Sequence, residues 1–164
     1  MNAPKTQHET VTSLGRTRQA SLGEVVQRLI EIHAQLAAHY SRMALRVPGD
    51  RFALVLTFLA GHEMSLVEYL QQFLKDAPEA VLDRRFKYVP DLIGNDLFER
   101  LTNDSSTNLD ALAERLQEIH HAIDAVYKPL DGNLLPEELA EVVDKLRLQE
   151  KEHLIEQLRA INDE

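Results

Sequence analysis

Apolar residues recur at intervals of three and four along four separate stretches of this chain, and this periodicity constrains the fold more than any other feature. The spacing places these residues on one face of an α-helix, so each stretch predicts a helix with one face to bury. In chain order the stripes are Leu22, Val26, Leu29, His33, Leu36, Tyr40 and Met43; Phe52, Leu56, Leu59, Glu63, Leu66, Leu70 and Phe73; Leu109, Leu112, Leu116, His120, Ile123, Tyr127 and Leu130; and Leu139, Val143, Leu146, Glu150 and His153. Four such helices predict an all-α four-helix bundle.

Capping and turn residues mark where the helices begin and end. Ser21 and Glu24 have the spacing of a capping box, so the first helix is predicted to follow Ser21 and to end near Arg46. Short turns at 47–50 and 131–133 predict two antiparallel helical hairpins, over 21–75 and 108–161. The segment 76–107 is long enough for a crossover along the bundle, with a short helix around 96–101. Residues 1–20 lack apolar periodicity and predict a flexible tail before one bundle domain, 21–164.

The composition excludes several classes of function. The chain has 164 residues and no cysteine, which excludes a disulfide framework, a thiolate zinc site and a cysteine nucleophile, and leaves histidine and carboxylates as the strong metal ligands. A formal net charge of -9 argues against nucleic acid or an anionic membrane as a partner. We find no signal-peptide pattern and no unbroken apolar run of membrane-spanning length, so we expect a soluble, cytoplasmic protein.

The two predicted hairpins resemble each other when the chain is compared with itself at an offset of 87 residues. Over residues 22–40, eight of nineteen positions are identical to their counterparts, including His33 with His120 and Tyr40 with Tyr127. The same offset pairs Glu63 with Glu150 in the following helices. Shared leucine and alanine are common between amphipathic helices, whereas shared histidine and glutamate on the apolar face are not. The sequence therefore predicts an internal repeat of one helical hairpin.

Five polar residues lie on the predicted apolar faces, where an unpaired charge or imidazole is costly. They are His33, Glu63, His120, Glu150 and His153. Glu150 and His153 are three residues apart and so adjacent on one helix face, where a carboxylate and an imidazole can bind the same ion. We predict these five residues as ligands of a metal site inside the bundle.

In layout and in these residues the chain resembles the ferritin-like superfamily, which includes bacterioferritin and rubrerythrin. That family has two helical hairpins joined by a long crossover, and binds two iron or manganese ions through a Glu from helices one and three and a Glu-x-x-His from helices two and four. Here Glu150 and His153 match the motif of the fourth helix, and Glu63 matches the Glu of the second. Counting seven residues back from Tyr40 and Tyr127 places His33 and His120 at the single-Glu positions.

The sequence departs from the family pattern in the number of carboxylates. Leu66 stands at the second-helix histidine position, and histidine replaces both single Glu ligands, so two carboxylates and three imidazoles remain. Three arrangements stay open. A single iron, zinc or other divalent transition-metal ion is bound; the pocket is metal-free, with His33 paired to Glu63 and His120 to Glu150; or His62 turns inward to supply the missing imidazole.

Two functions follow from these alternatives. A bound metal predicts oxygen, peroxide or iron chemistry, whereas a metal-free bundle predicts a scaffold that acts through dimerisation or a protein partner. We expect a homodimer, and the scaffold interpretation predicts an exposed apolar patch in the crossover at Phe86, Tyr88, Val89 and Leu92. A histidine phosphotransfer bundle is disfavoured because no suitable pattern surrounds His121, the only exposed candidate.

Overall fold

The computed structural model of the protein describes residues 17–47, 49–90, 108–131 and 137–163. Within these residues the elements are β1 (Thr17–Ser21), α1 (Leu22–Ala44), α2 (Asp50–Asp76), α3 (Glu79–Leu82), β2 (Arg85–Pro90), α4 (Leu109–Asp131) and α5 (Glu137–Asn162). The four long helices correspond to the four apolar stripes, which confirms the all-α bundle predicted from the sequence.

The start of α1 has the predicted capping box. The Ser21 hydroxyl accepts from the backbone N–H of Glu24 at 3.1 Å, and the Glu24 carboxylate accepts from the backbone N–H of Ser21 at 2.9 Å. These bonds satisfy amide groups that a helix N-terminus leaves without intrahelical partners. Helix α4 begins in a related way, because the Asn108 side chain accepts from the backbone N–H of Ala111 at 2.8 Å.

The core is formed by the apolar faces of all four long helices. Leu29 of α1, Leu59 of α2, Leu116 of α4 and Val143 of α5 are each fully buried and belong to one continuous cluster. Complete burial of such a side chain stabilises the fold by roughly 1.5–3 kcal/mol. Because the same faces carry the five polar residues, the packing that forms the core also brings those residues inside.

Strand β1 corrects the predicted limit of the N-terminal tail. Residues 1–20 were predicted to form a flexible tail. Thr17–Ser21 instead pairs antiparallel with β2, with Ala20 opposite Phe86. Ala20 and Phe86 are both buried, so these residues are part of the domain. Residues 1–16 lie outside the described part of the chain.

Phe86 also corrects the predicted apolar patch. The alternating sequence of 85–89 has the period of a strand, which turns Phe86 inward, toward the core. It is therefore not exposed. Leu92, the side chains of Tyr88 and Val89, and the predicted helix at 96–101 lie outside what the structure describes.

Among the described residues, α2 alone is long and apolar enough to cross a membrane by length and composition. Its mean hydropathy reaches 1.2 over 18 residues, and 44% of that window is buried inside the bundle. The helix also carries Glu63, which is completely buried. The core helix of a bundle meets the same criterion, so the feature is weak evidence for a membrane span.

Candidate metal centre

His33 lies at the centre of the bundle, where both of its ring nitrogens contact carboxylates. Its Nδ1 is 2.6 Å from Glu63 Oε2, and its Nε2 is 3.0 Å from Glu150 Oε1. His33 and Glu63 are completely buried and Glu150 is 5% exposed. Because ionised carboxylates only accept hydrogen bonds, both nitrogens donate, and His33 is an imidazolium between two carboxylates. Helices α1, α2 and α5 therefore contribute to one charged cluster.

Three of these helices also supply a group with the spacing of metal ligands. Donor atoms of His33, Glu63 and His153 all lie within 4.8 Å of one another. His153 Nε2 is 3.4 Å from Glu63 Oε2, but this contact lacks the geometry of a hydrogen bond. Each residue offers an imidazole nitrogen or a carboxylate oxygen, the ligand types that divalent transition metals bind.

Four buried polar side-chain atoms have no hydrogen-bond partner among the described residues: His153 Nε2, Glu150 Oε2, His62 Nδ1 and the Tyr40 hydroxyl. The first belongs to the ligand group, and the second to Glu150, which contacts His33. Buried polar side-chain atoms are mostly paired, and leaving one unpaired costs roughly 1–3 kcal/mol. Two such atoms next to a ligand group indicate that the cluster can take up a further ion or polar molecule.

Gln157 is a residue of the site that the sequence did not predict. Its side-chain nitrogen donates to Glu63 Oε1 at 2.8 Å, and its oxygen accepts from His120 Nε2 at 3.2 Å. Since a carboxylate cannot donate, the amide orientation is fixed, and Nδ1 is the nitrogen with which His120 can accept a hydrogen bond or bind a metal. A signal was available, because Gln157 follows Glu150 by seven residues and so lies on the same helix face.

Two buried tyrosines flank the carboxylates. The Tyr127 hydroxyl donates to Glu150 Oε1 at 3.5 Å, whereas the Tyr40 hydroxyl is buried without a partner in the described part of the chain. Burial, together with the nearby charge of Glu63, raises the pKa of Tyr40 well above its usual value. Burial and Glu150 do the same for the pKa of Tyr127. Both phenols are therefore neutral and able to donate a hydrogen bond at pH 7.

His62 lies beside the cluster, against the outer side of His153. The two rings are stacked with centroids 4.1 Å apart and planes at 2°, and His62 Nε2 is 2.7 Å from the exposed carboxylate of Glu156. This arrangement differs from the third alternative left open by the sequence, in which His62 turns inward to replace the imidazole missing at Leu66. Its stacking and its bond to Glu156 hold it at the edge of the site.

The metal-free arrangement predicted from the sequence is half correct. The predicted bond between His33 and Glu63 is present at 2.6 Å. The predicted pair of His120 with Glu150 is wrong, because His120 bonds to Gln157 and the second nitrogen of His33 bonds to Glu150. The cluster is thus one connected network and not two separate pairs.

The network shifts the pKa values of its members in opposite directions. Burial opposes the charge on His33, but the carboxylates of Glu150 and Glu63 outweigh it and raise the pKa of His33 to about 10. Burial also opposes the charge on Glu63, yet His33 and His153 hold its pKa well below the usual range. Burial lowers the pKa of His120, and Glu150 and Glu63 offset this only in part.

For the metal-free chain, these shifts predict a free energy of unfolding that is greatest near pH 6.5. The stabilisation by His33 is complete below the pKa of 6.5 that its ring has in the unfolded chain, and it is lost as pH rises through the folded pKa of about 10. His120 destabilises the folded chain below pH 6.5, because there the unfolded chain binds a proton that the buried ring does not. The stabilisation by Glu63 is lost as pH falls below 4.5, the pKa of its carboxyl in the unfolded chain. Urea unfolding of chelator-treated protein across this range would check the curve. Stability that climbs steadily between neutral and alkaline pH would contradict it.

Several contacts recur at the offset of 87 residues. The ion pair Arg28–Glu31, at 3.0 Å, has its counterpart in Arg115–Glu118, at 2.9 Å. The residues of three further equivalent pairs are all buried: His33 and His120, Tyr40 and Tyr127, and Glu63 and Glu150. A duplicated hairpin would produce this pattern, and the duplication itself stays a prediction.

All five predicted ligands are buried in the bundle centre. His33, Glu63 and His153 form the group with ligand spacing, Glu150 contacts His33, and His120 is linked to Glu63 through Gln157. The ring centroid of His120 lies 6.4 Å from that of His33 and 5.8 Å from that of His153. The structure thus places the five side chains together, and their role as metal ligands stays a prediction.

Comparison with known proteins identifies the fold. No protein-family model matches the sequence, and no curated protein gives a significant match. One solved structure, from Thermotoga maritima and described as a ferritin-like diiron-carboxylate protein, matches with a TM-score of 0.59 and 15% sequence identity. The match covers 90% of this chain and 99% of that one. The predicted resemblance is confirmed at the level of architecture: this chain has the ferritin-like four-helix fold.

Proposed function

We propose that the chain binds one divalent transition-metal ion through His33, Glu63, Glu150 and His153. The observation that carries this proposal is the pair of buried, unpartnered atoms His153 Nε2 and Glu150 Oε2 beside the group of His33, Glu63 and His153. An ion bound there would satisfy both atoms. Binding would also require His33 to give up one of its protons, since an imidazole binds metal through an unprotonated nitrogen.

The donor set favours one ion of intermediate softness. Imidazoles with carboxylates suit iron, zinc, nickel or copper, and two carboxylates balance the charge of one divalent ion. The Thermotoga maritima protein with the same fold is described as a diiron-carboxylate protein, which supports iron as the first metal to test. His120 is proposed as a further ligand through Nδ1, since Gln157 holds its other nitrogen.

With iron bound, we propose that the protein acts in oxygen, peroxide or iron chemistry. A redox-active ion would supply the electron transfer. The chain's own residues orient and protect the site: Gln157 fixes Glu63, Tyr127 donates to Glu150, and the enclosing core keeps bulk water from His33 and Glu63. The unpartnered Tyr40 hydroxyl offers a hydrogen-bond donor near Glu63.

Elemental analysis of protein expressed without an affinity tag tests the proposal. We expect about one transition-metal ion per chain, either as purified or after anaerobic addition of Fe²⁺ or Zn²⁺ to chelator-treated protein, because two carboxylates balance one divalent charge. The measurement is metal per chain after gel filtration. Absence of bound metal after both additions would overturn the proposal, and two ions per chain would overturn the single-ion site.

The second candidate is a metal-free scaffold that acts through dimerisation or a protein partner. It is favoured by His33, which already bridges Glu63 and Glu150 without an ion. Large apolar side chains exposed on α2 and α5 could serve an interface, namely Leu54, Phe58 and Ile155. A homodimer in light scattering, combined with no metal after both additions, would favour this candidate. A cytoplasmic location remains part of both proposals.

A further inference from the structure

Three nearly parallel aromatic rings lie where α2 meets α5, beside the proposed metal site. The rings of Phe58 and His62 have centroids 5.5 Å apart and planes at 15°, and those of His62 and His153 have centroids 4.1 Å apart and planes at 2°. Phe58 is 47% exposed, the side chain of His62 is 17% exposed, and His153 is 5% exposed. His62 therefore connects a ring at the surface to the buried ring of a proposed ligand.

His62 is held in this place by residues of both helices. Phe58 precedes it by one turn on α2, and α5 contributes His153 and Glu156, which are adjacent on one helix face because they are three residues apart. The Glu156 carboxylate is 2.7 Å from His62 Nε2, and the ring of His153 lies flat against the ring of His62. The hydrogen bond and the stacking together define where the imidazole of His62 sits.

The ring of His153 lacks the restraint that metal-binding histidines usually have. The outer side-chain torsion of histidine is broad, and a hydrogen bond from the second ring nitrogen normally fixes the orientation of the ring. Among the described residues, neither ring nitrogen of His153 makes a hydrogen bond. The contacts of its ring with His33 and His120 are edge-on or tilted, with centroids 5.9 and 5.8 Å away. The closer, parallel contact with His62 resists rotation, because a turned ring would press its edge into the face of its neighbour.

We propose that His62 is a positioning residue for the metal ligand His153, whose ring plane it fixes by stacking. A metal ion bound to an imidazole lies in the plane of the ring, so this plane decides whether Nε2 of His153 reaches an ion shared with His33 and Glu63. The inference rests on the proposed metal site. Because His62 Nδ1 is buried without a hydrogen-bond partner in the described part of the chain, direct ligation by His62 is the alternative to be separated from stacking.

A comparison of His62→Phe with His62→Leu separates these roles. Both side chains are bulky and bring no nitrogen, but only phenylalanine has a flat ring. We expect His62→Leu to weaken Zn²⁺ binding by about 10–100-fold, as is typical when the support of a metal ligand is lost, and His62→Phe to weaken it by less than about tenfold. Competition with a chelator measures the affinity. The visible spectrum of the Co²⁺ form should change in His62→Leu and not in His62→Phe. His121→Ala, which removes an exposed histidine of α4, should bind as the parent does.

NMR spectra of the full, metal-free chain test the stacking without an ion. Ring protons that lie over the face of another aromatic ring are shifted upfield. The ring signals of His153, assigned by their absence in His153→Ala, should therefore stay upfield in His62→Phe and move downfield in His62→Leu. Urea unfolding of the metal-free variants shows whether a difference in affinity arises at equal stability. Should His62→Leu not fold, His62→Ala takes its place.

The outcomes for His62 are distinct from those for the metal site. An equal loss of affinity in the phenylalanine and leucine variants would show that His62 is itself a ligand or only supports folding, and would overturn the inference. Parent-like affinity or unmoved His153 signals in His62→Leu would overturn it as well, and would leave the metal site standing. A parent chain that binds no metal would overturn the site itself, and with it the role of His62 there.

Discussion

Substitution of His153 by alanine is expected to weaken metal binding at least about 100-fold. Loss of a residue that only supports a metal ligand typically costs 10–100-fold in affinity, so loss of a ligand should cost no less. His153 contributes a buried nitrogen without a hydrogen-bond partner in the described part of the chain, so the substitution removes an atom that the ion would use. Competition with a chromogenic chelator, using Zn²⁺ or Co²⁺, measures the change.

Glu150→Ala should produce a similar loss, and Glu152→Ala is its matched control. Glu152 lies two residues away on the same helix and is exposed, so its removal changes net charge without touching the cluster. We expect the control to bind metal as the parent does. Metal affinity that survives in both the His153 and the Glu150 variants would place the ion elsewhere and remove the proposed ligands.

The helical period explains why the buried residues could be predicted from the sequence. A period of 3.6 residues determines which face of each helix a residue occupies, and the apolar neighbours of His33, Glu63 and His120 define the face that is buried. Once four helices pack by these faces, their polar members must meet inside. The same rule applies to Gln157, which lies seven residues after Glu150 on the same face but was not predicted as a site residue.

The partners within the cluster could not be predicted in the same way. Periodicity gives the face of a residue but not the rotamer or the height at which its side chain meets those of other helices. His33 could reach one carboxylate or two, and His120 could reach Glu150 or Gln157. The structure shows that His33 takes both carboxylates, and this leaves His120 to the amide.

Non-local pairing accounts for the corrected segment at the start of the domain. Strand β1 has no apolar stripe of its own, and its pairing with β2 joins residues more than sixty positions apart. Local patterns do not report such pairing. Phe86 was a candidate for an exposed patch because the alternation around it was read without the strand that lies beside it.

Substitution of Glu63 by alanine is expected to destabilise the metal-free chain by about 3–5 kcal/mol. Removing one partner of a buried ion pair leaves the other charge without compensation, and such losses typically have this size. Glu63 is completely buried and contacts three members of the network, namely His33, His153 and Gln157. Urea unfolding near neutral pH measures the change, and Glu31→Ala, which removes an exposed carboxylate, should alter stability by less than about 0.5 kcal/mol.

A double-mutant cycle separates the network from the packing around it. If the cost of Glu63→Ala arises from an uncompensated imidazolium, then His33→Ala/Glu63→Ala should be less destabilising than the sum of the two single variants, by about 0.5–3 kcal/mol. A cost that comes only from the cavity would instead be additive for the two sites. Replacing both residues by leucine should recover further stability, because buried ion pairs can be exchanged for apolar residues of similar volume at little cost. Additive single and double variants would show that His33 and Glu63 do not act as a pair.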